Sequence, residues 1–282
     1  MSLLHLAKLH ATGNDFIVHQ TREPLDARAA AALCDRHRGV GADGLISLLP
    51  GGAGADCGMA LRNADGGLAE LSGNGLRCLA YVAAREGLGS ADSLIVDTAA
   101  GRRFVALERG AAGEVIAADV DMGPVTFDPS AIGLDAPSAI DLEATFHGVT
   151  YRGDAAGMGN PHLVLFVDDP DDARVVQHGP RLERDERFPQ RTNVEFVTVE
   201  ARDRLRMRVW ERGVGETLSC GTGACAAAAV AHRRGLVDAL VSVVVPGGEL
   251  RVRLAETIVL GGPVTHVFDV DLEQPSAGSG PS

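Results

Sequence analysis

Hydrophobic and polar positions alternate over much of the chain, and this is the pattern of β-strands with one buried face. Clear examples are SLIVDT (93–98), RRFVALE (102–108), HLVLFV (162–167), NVEFVTVE (193–200) and ELRVRLA (249–255). Two Ala-rich segments at about 75–86 and 223–234 break the alternation, and each is followed by glycine, as is common after helix C-termini. These segments predict two helices. Because strands and helices do not alternate regularly, we expect an α+β fold rather than a Rossmann arrangement.

The two helical segments belong to an internal repeat. SGNGLRCLAYVAAREGL (72–88) aligns with CGTGACAAAAVAHRRGL (220–236), and upstream TGNDFIV (12–18) resembles MGNPHLV (158–164). GPVT closes both halves, at 123–126 and again at 262–265. The repeat therefore predicts two homologous halves. Their expected bounds are 1–122 (completed by about 266–274) and 123–265, followed by a disordered Pro/Gly/Ser-rich tail at 275–282.

The composition is that of a soluble globular protein, with 45% hydrophobic and 23% charged residues. The net charge of −12 argues against partners such as nucleic acid or an anionic membrane. No apolar run approaches the ~20 residues of a membrane span, and no signal peptide is predicted. The five cysteines have neither a disulfide-framework nor a zinc-ligand rhythm, so we expect a reduced cytoplasm and no metal. Lys8 is the only lysine and lies in a strand pattern, which argues against a pyridoxal-phosphate enzyme and for a reaction without a cofactor.

The repeated loop suggests a chemistry. A small polar residue followed by Gly-x-Gly before a helix leaves free backbone N–H groups that favour an anion, and a cysteine there can be a base or nucleophile. One such loop caps many ordinary helices and is a weak signal. Two copies related by a pseudo-twofold axis would bring Ser72 and Cys220 to opposite faces of one substrate. Removing a proton from one face and returning one to the other inverts a stereocentre, so the repeat predicts an amino-acid racemase or epimerase.

Five segments carry a family resemblance: HATGNDFIV, RNADGGLAELSGNGLRC, GMGNPHLVLFV, ERFPQRTNVEF and ERGVGETLSCGTGACAAA. They resemble diaminopimelate epimerase, and the resemblance spans residues 5–270. It implies two pseudo-symmetric halves, each a curved, mainly antiparallel sheet wrapped around a central helix, with the active site in the cleft between them. It also implies a cofactor-free interconversion of LL- and meso-diaminopimelate by one thiol on each face, in a homodimeric enzyme of lysine and peptidoglycan synthesis.

The resemblance assigns roles to particular residues of this chain. Cys220 matches one catalytic cysteine, and His162 and Glu211 match residues near the reacting amine and the thiols. The positions that would hold the distal, unreacting end of the substrate are Asn14, Asn63, Asn160, Asn193 and Arg212. Those whose backbone N–H groups would cradle the reacting carboxylate are Gly73, Asn74, Gly221 and Thr222.

Each assignment has a structural alternative. Asn14, Asn160 and His162 could be turn residues, and Glu211 with Arg212 could be a surface pair. Cys225, one turn beyond Cys220, is expected in the core.

The chain departs from the family pattern at Ser72, where the family has its second cysteine. A serine hydroxyl is too weak an acid to ionise near neutrality, so two-way epimerisation should be impaired. Leu68 also replaces a usual acidic residue. Three readings stay open: an epimerase impaired by Ser72, engineered or natural; a divergent one-thiol isomerase or lyase acting on another amino acid; and a catalytically silent amino-acid binder.

Overall fold

The structure is a computed structural model that describes residues 3–69 and 71–273. The tail expected to be disordered, 275–282, lies outside these residues.

The described residues of the first half form eight strands and two helices. In chain order they are β1 (Leu3–Ala11), β2 (Asn14–Gln20), α1 (Ala27–Cys34), β3 (Gly44–Pro50), β4 (Cys57–Asn63), β5 (Leu68–Ala69), α2 (Gly73–Arg85), β6 (Ser93–Thr98), β7 (Gly101–Arg109) and β8 (Val115–Gly123).

The second half repeats this order after a short helix and an additional strand. Its elements are α3 (Pro129–Ile132), β9 (Leu142–Phe146), β10 (Val149–Gly157), β11 (Pro161–Phe166), α4 (Val175–Leu182), β12 (Asn193–Ala201), β13 (Arg204–Glu211), β14 (Gly215–Thr217), α5 (Gly221–Arg233), β15 (Leu240–Val245), β16 (Gly248–Leu254), β17 (Ile258–Pro263) and β18 (Thr265–Glu273).

The strand pairing repeats between the halves. In the first half β1 pairs antiparallel with β2, β2 runs parallel to β3, and β4 runs parallel to β6. In the second half β10 pairs antiparallel with β11, β11 runs parallel to β12, and β13 runs parallel to β15. The other pairs formed by these strands are antiparallel, so the predicted α+β class with a duplicated, mainly antiparallel architecture is confirmed.

The halves are joined through their last strands. β17 pairs with β8, the equivalent strand of the first half, and β18 returns to pair with β1. The hydrogen-bonded strands thereby form one continuous sheet. The domain bounds expected at 122/123 and 265/266 stay a prediction.

The two long helices, α2 and α5, form the centre of each half. α5 contacts strands from β10 to β17, and every residue from Ala224 to Ala231 is buried. Small side chains on all sides of the helix let the sheet approach it closely. Cys225 is fully buried there, as predicted, and one apolar cluster runs from α2 to α5 across both halves.

The predicted helices are confirmed, and both begin two residues earlier than expected. Ser72 and Cys220 are their N-cap residues, and each accepts the backbone N–H three positions on. This capping bond draws the first glycines into the helix. At the other end Gly87 and Gly235 have positive φ angles of 76° and 71°, the left-handed C-cap conformation expected from the sequence. Over the described ranges, none of the helices is long and apolar enough to cross a membrane.

Candidate active site

A cavity of about 500 Å³ lies between the halves. Its size falls within the ~300–1,000 Å³ of typical small-molecule sites. The predicted site residues that line it are Asn14, Asn63, Ser72, Gly73, Asn74, Asn160, Glu211, Arg212, Cys220, Gly221 and Thr222. The cavity therefore collects residues that are up to about two hundred positions apart in the chain.

The N-termini of α2 and α5 meet at this cavity. A β-carbon added at Gly73 would lie 2.6 Å from Leu260 Cδ2, and one added at Gly221 would lie 2.8 Å from the same atom. The latter would also lie 3.7 Å from Gly73 Cα. Glycine at both positions allows the two helix ends to approach each other over Leu260. Their free N–H groups and helix dipoles together favour an anion here.

Ser72 and Cys220 occupy equivalent places at the two helix ends. Ser72 Oγ accepts the Gly75 N–H at 3.0 Å, and Cys220 Sγ accepts the Gly223 N–H at 3.4 Å. Both side chains line the cavity. The duplication thus places a hydroxyl and a thiol in the same structural role.

Cys220 lies in a buried and acidic environment. Its side chain is almost completely buried, and its Sγ lies 3.5 Å from Thr222 Oγ1. Burial raises the pKa of the thiol well above its usual value, and the carboxylates of Glu211 and Glu195 raise it further. Without substrate, the thiol is therefore the resting form at neutral pH.

Glu211 forms the acidic wall of the cavity. Thr217 Oγ1 donates a hydrogen bond of 2.5 Å to Glu211 Oε1. Burial raises the pKa of the Glu211 carboxyl to about 7, and this hydrogen bond opposes the rise only in part. Glu211 can therefore take up or release a proton near neutrality, as a general acid–base group requires.

His162 lies behind the cavity wall instead of in it. Its imidazole is fully buried, with Nδ1 2.7 Å from Glu195 Oε1 and Nε2 2.9 Å from Asn160 Oδ1. Of these three hydrogen-bonded residues, Asn160 is the one that lines the cavity. The catalytic role predicted for His162 stays a prediction. In this structure its contacts orient Asn160.

The amides on the opposite wall form a connected network. Asn74 Nδ2 donates to Asn14 Oδ1 at 3.1 Å and to Ser219 O at 3.3 Å. Asn14 Nδ2 donates in turn to Asp43 Oδ2 at 2.7 Å. These bonds hold both amides in place at the cavity wall, and the substrate-binding role predicted for Asn14 stays a prediction.

Arg212 and Asn193 have different positions. Arg212 lines the cavity, and its Nη1 donates to the Gln190 carbonyl at 3.3 Å. Asn193 is buried and does not line it. Its Oδ1 accepts the Arg212 backbone N–H at 2.9 Å, and its Nδ2 donates to the Pro161 carbonyl at 2.9 Å. Asn193 therefore holds the backbone that carries Arg212.

Sequence reasoning missed several polar residues of the site. Asp43, Thr217 and Ser219 line the cavity, and Glu195 is a fully buried carboxylate beside Cys220. A β-carbon at Gly223 would lie 2.7 Å from Glu195 Oε1 and 3.3 Å from Cys220 Sγ. The available signal was a glutamate among the buried positions of β12, where an apolar residue is usual.

Comparison with known proteins supplies the family. The sequence model described as "Diaminopimelate epimerase" matches residues 6–127 and 155–267. A relative of that name from Heliobacterium modesticaldum (strain ATCC 51547 / Ice1) is 40% identical over 280 residues, which cover 95% of this chain and 99% of the relative. Another from Xanthomonas axonopodis pv. citri (strain 306) is 42% identical over 275 residues, which cover 94% and 95%.

Solved structures share the fold at lower identity. A hydroxyproline epimerase from Agrobacterium vitis has a TM-score of 0.71 and 18% identity, covering 96% of this chain and 91% of its own. A phenazine biosynthesis protein of the PhzF family from Bacillus anthracis has a TM-score of 0.69 and 16% identity, covering 97% and 100%.

Proposed function

The chain belongs to the diaminopimelate epimerase family, and from that premise we propose that Cys220 is its only effective acid–base group at the reacting carbon. The reaction is the interconversion of LL- and meso-diaminopimelate, so the protein is an isomerase. The observation that carries the proposal is the pair of equivalent helix caps on one cavity, one with a thiol and the other with a hydroxyl.

The reacting carboxylate binds where the two helices begin. The residues concerned lie in the first turn of these helices and line the cavity: Gly73, Asn74, Gly221 and Thr222. Unpaired N–H groups and the positive ends of two helix dipoles stabilise an anion. The α-carbon of the substrate then lies between Ser72 and Cys220.

The distal end of the substrate binds on the other side of the cavity. Arg212 supplies a planar guanidinium for the distal carboxylate, and Asn14, Asn63 and Asn160, which line the same cavity, supply amides. Asn193 acts indirectly, because its hydrogen bond positions the backbone of Arg212.

Cys220 and Glu211 exchange the α-proton on one face. With substrate bound, Glu211 accepts the thiol proton and the Cys220 thiolate removes the α-proton. The raised pKa of Glu211, about 7, suits a group that must hold and release this proton near neutrality. Return of the proton from the thiol to the same face regenerates the starting isomer.

Ser72 limits proton transfer on the other face of the substrate α-carbon. In the described structure its hydroxyl accepts only the Gly75 N–H, and no base is hydrogen-bonded to it. Protonating the carbanion from this face leaves an alkoxide, and the reverse reaction needs that alkoxide as base. Inversion is therefore much slower than proton exchange through Cys220.

The enzyme works without a pyridoxal cofactor. Lys8, the only lysine, pairs with Asp15 and donates to the Gly41 carbonyl, and it does not line the cavity. No other side chain of the sequence could form the Schiff base that this cofactor requires. The described residues therefore do not fit that group.

The setting of the enzyme follows from the same family. We place it in the cytoplasm as a homodimer that acts on a free amino acid and binds neither nucleic acid nor membrane. The net charge of −12 supports this choice of partners. Light scattering of the purified protein tests the dimer.

Calorimetry and chiral chromatography test the proposed function together. We expect calorimetry to detect binding of LL-diaminopimelate, and chiral chromatography to detect its slow conversion to the meso isomer. A protein that binds LL-diaminopimelate but converts none of it would be the silent binder considered above. A protein that does not bind it would contradict the proposal and favour a different amino acid.

A further inference from the structure

Arg77 is a buried cation that forms no hydrogen bond with a carboxylate of residues 3–69 or 71–273. It lies on α2, and its side chain is the largest fully buried one among the described residues. Nη1 donates to the Pro263 carbonyl at 3.1 Å, and Nη2 donates to Asn74 Oδ1. Nε has no acceptor among the described residues. All of its partners are therefore neutral oxygens.

This arrangement is costly for the free protein. A buried charge is normally paired, because moving it out of water costs several kcal/mol that neutral partners recover only in part. Asp119 is the one carboxylate that raises the Arg77 pKa through space, and its side chain is 37% exposed and bonded to Arg251. Burial dominates and lowers the pKa of Arg77 to about 10. Among the described residues, no carboxylate is bonded to Arg77 as its counter-charge.

The guanidinium lies next to the anion site. A β-carbon at Gly262 would lie 2.1 Å from Arg77 Nη1. Gly262 is two residues beyond Leu260 on β17, the residue over which the two helix ends meet. Asn74, which receives the Arg77 hydrogen bond, lines the cavity. The cation therefore contacts the cavity wall through Asn74, one of the residues whose N–H groups would hold the reacting carboxylate.

We propose that Arg77 is a positioning residue whose missing counter-charge is the reacting carboxylate of the substrate. The inference rests on the proposed binding site for that carboxylate. The guanidinium fixes the Asn74 side chain, and its charge stabilises the carboxylate and, more strongly, the extra negative charge that forms when the α-proton leaves. It does so without touching the substrate.

The internal repeat supports a functional role for Arg77. At the offset that aligns Ser72 with Cys220, the counterpart of Arg77 is Cys225, which is fully buried in α5. The second half thus fills the same helix position with a small apolar residue, so the fold does not require an arginine there. A single cation near the pseudo-twofold axis serves the one carboxylate held by both helices.

The test compares Arg77→Met and Arg77→Lys with a matched control, Arg103→Met. Arg103 also bonds only to backbone carbonyls, those of Ala100 and Arg102, and also has an unpaired buried Nε, but it does not line the cavity. Three quantities are measured for each protein: the melting temperature without ligand, the Kd for LL-diaminopimelate, and the rate of α-proton exchange at saturating LL-diaminopimelate.

We expect Arg77→Met to weaken binding about tenfold or more, because a buried positive charge near the carboxylate is lost, and to slow exchange by a larger factor. Its melting temperature without ligand should be no lower than that of Arg103→Met, because an unpaired buried charge has been removed. Arg77→Lys should recover most of the binding and exchange.

Two results would overturn the proposal. Normal binding and exchange in a folded Arg77→Met protein would show that the charge does not reach the site. A loss of melting temperature well beyond that of the control, or failure to fold, would make Arg77 a structural residue. If the wild type itself does not bind LL-diaminopimelate, the proposed binding site fails instead, and the melting temperatures alone then decide whether Arg77 is a strained or a structural cation.

Discussion

Ser72 and Cys220 cap α2 and α5 in nearly the same backbone conformation, with φ and ψ of −140° and 117° for Ser72 and of −122° and 112° for Cys220. Each accepts the N–H three residues on, and each faces the cavity. The duplication has therefore kept the geometry of a two-faced acid–base pair while one of its two groups cannot ionise near neutrality.

Restoring the thiol should restore inversion. We expect Ser72→Cys to raise the rate of LL-to-meso conversion by about a hundredfold or more, since a thiol is a far stronger acid than an alcohol. Exchange of the α-proton through Cys220 should change little. Chiral chromatography of the product measures the first rate, and proton NMR in deuterium oxide measures the second. Ser72→Ala is the control, and it should retain exchange without gaining inversion. An unchanged conversion rate in Ser72→Cys would remove residue 72 from the mechanism.

Removing the remaining thiol should stop the reaction. Cys220→Ala is expected to abolish α-proton exchange, because no other cysteine lines the cavity among the described residues. The control is Cys225→Ala, which removes a fully buried thiol from the same helix. That variant should lose about 1 kcal/mol of unfolding free energy through the small cavity it leaves, yet keep normal exchange. Exchange that persists in Cys220→Ala would mean that a different group, such as Glu211, removes the proton.

The raised pKa of Glu211 predicts how stability depends on pH. The ordinary value of 4.5 applies to the unfolded chain and about 7 to the folded one, so the folded state holds this proton more tightly. The group adds no penalty below about pH 4.5, and its buried carboxylate destabilises the fold increasingly as pH rises to about 7. The full penalty is on the order of 3 kcal/mol.

Glu211→Gln should therefore gain stability relative to the wild type between pH 5 and pH 8. Urea unfolding of both proteins at the two pH values measures this difference. If the free energy of unfolding changes with pH by the same amount in the two proteins, the pKa of Glu211 is not raised in the folded state.

Glu195 should affect catalysis and substrate binding indirectly, by holding His162 in place. We expect Glu195→Gln to slow exchange by on the order of ten- to a hundredfold and to raise KM, because His162 and then Asn160 lose their fixed orientation. Glu195→Asp should partly restore the exchange rate and KM. Asp154→Asn is the control, since Asp154 is a similarly buried carboxyl group, but its partners, Arg234 and the Asp141 backbone N–H, do not line the cavity. It should reduce stability and leave KM unchanged. Equal KM values in wild type and Glu195→Gln would contradict this role.

The sequence predicts the fold well because periodicity reports it directly. β6 has the same bounds as the alternating segment SLIVDT, and α2 begins two residues before its predicted start. The repeat also predicts the meeting of Ser72 and Cys220 at one cavity, since duplicated halves fold alike.

The sequence does not reveal the groups that support the site from behind. The patterns of β12 and α2 mark Glu195 and Arg77 as lying at buried positions, but they do not show which partners these polar groups find inside. Both residues gain their partners from segments distant in sequence, His162 for Glu195 and Pro263 for Arg77. Such contacts are a property of the tertiary structure.

The most direct test follows LL-diaminopimelate in deuterium oxide with the unmodified protein and measures deuterium at the α-carbon together with the amount of meso isomer. We predict that deuterium enters with retention of configuration much faster than the meso isomer forms, since Cys220 exchanges the proton on its own face. Formation of meso isomer at the same rate as deuterium uptake would contradict it, because Ser72 would then be a fully working second acid.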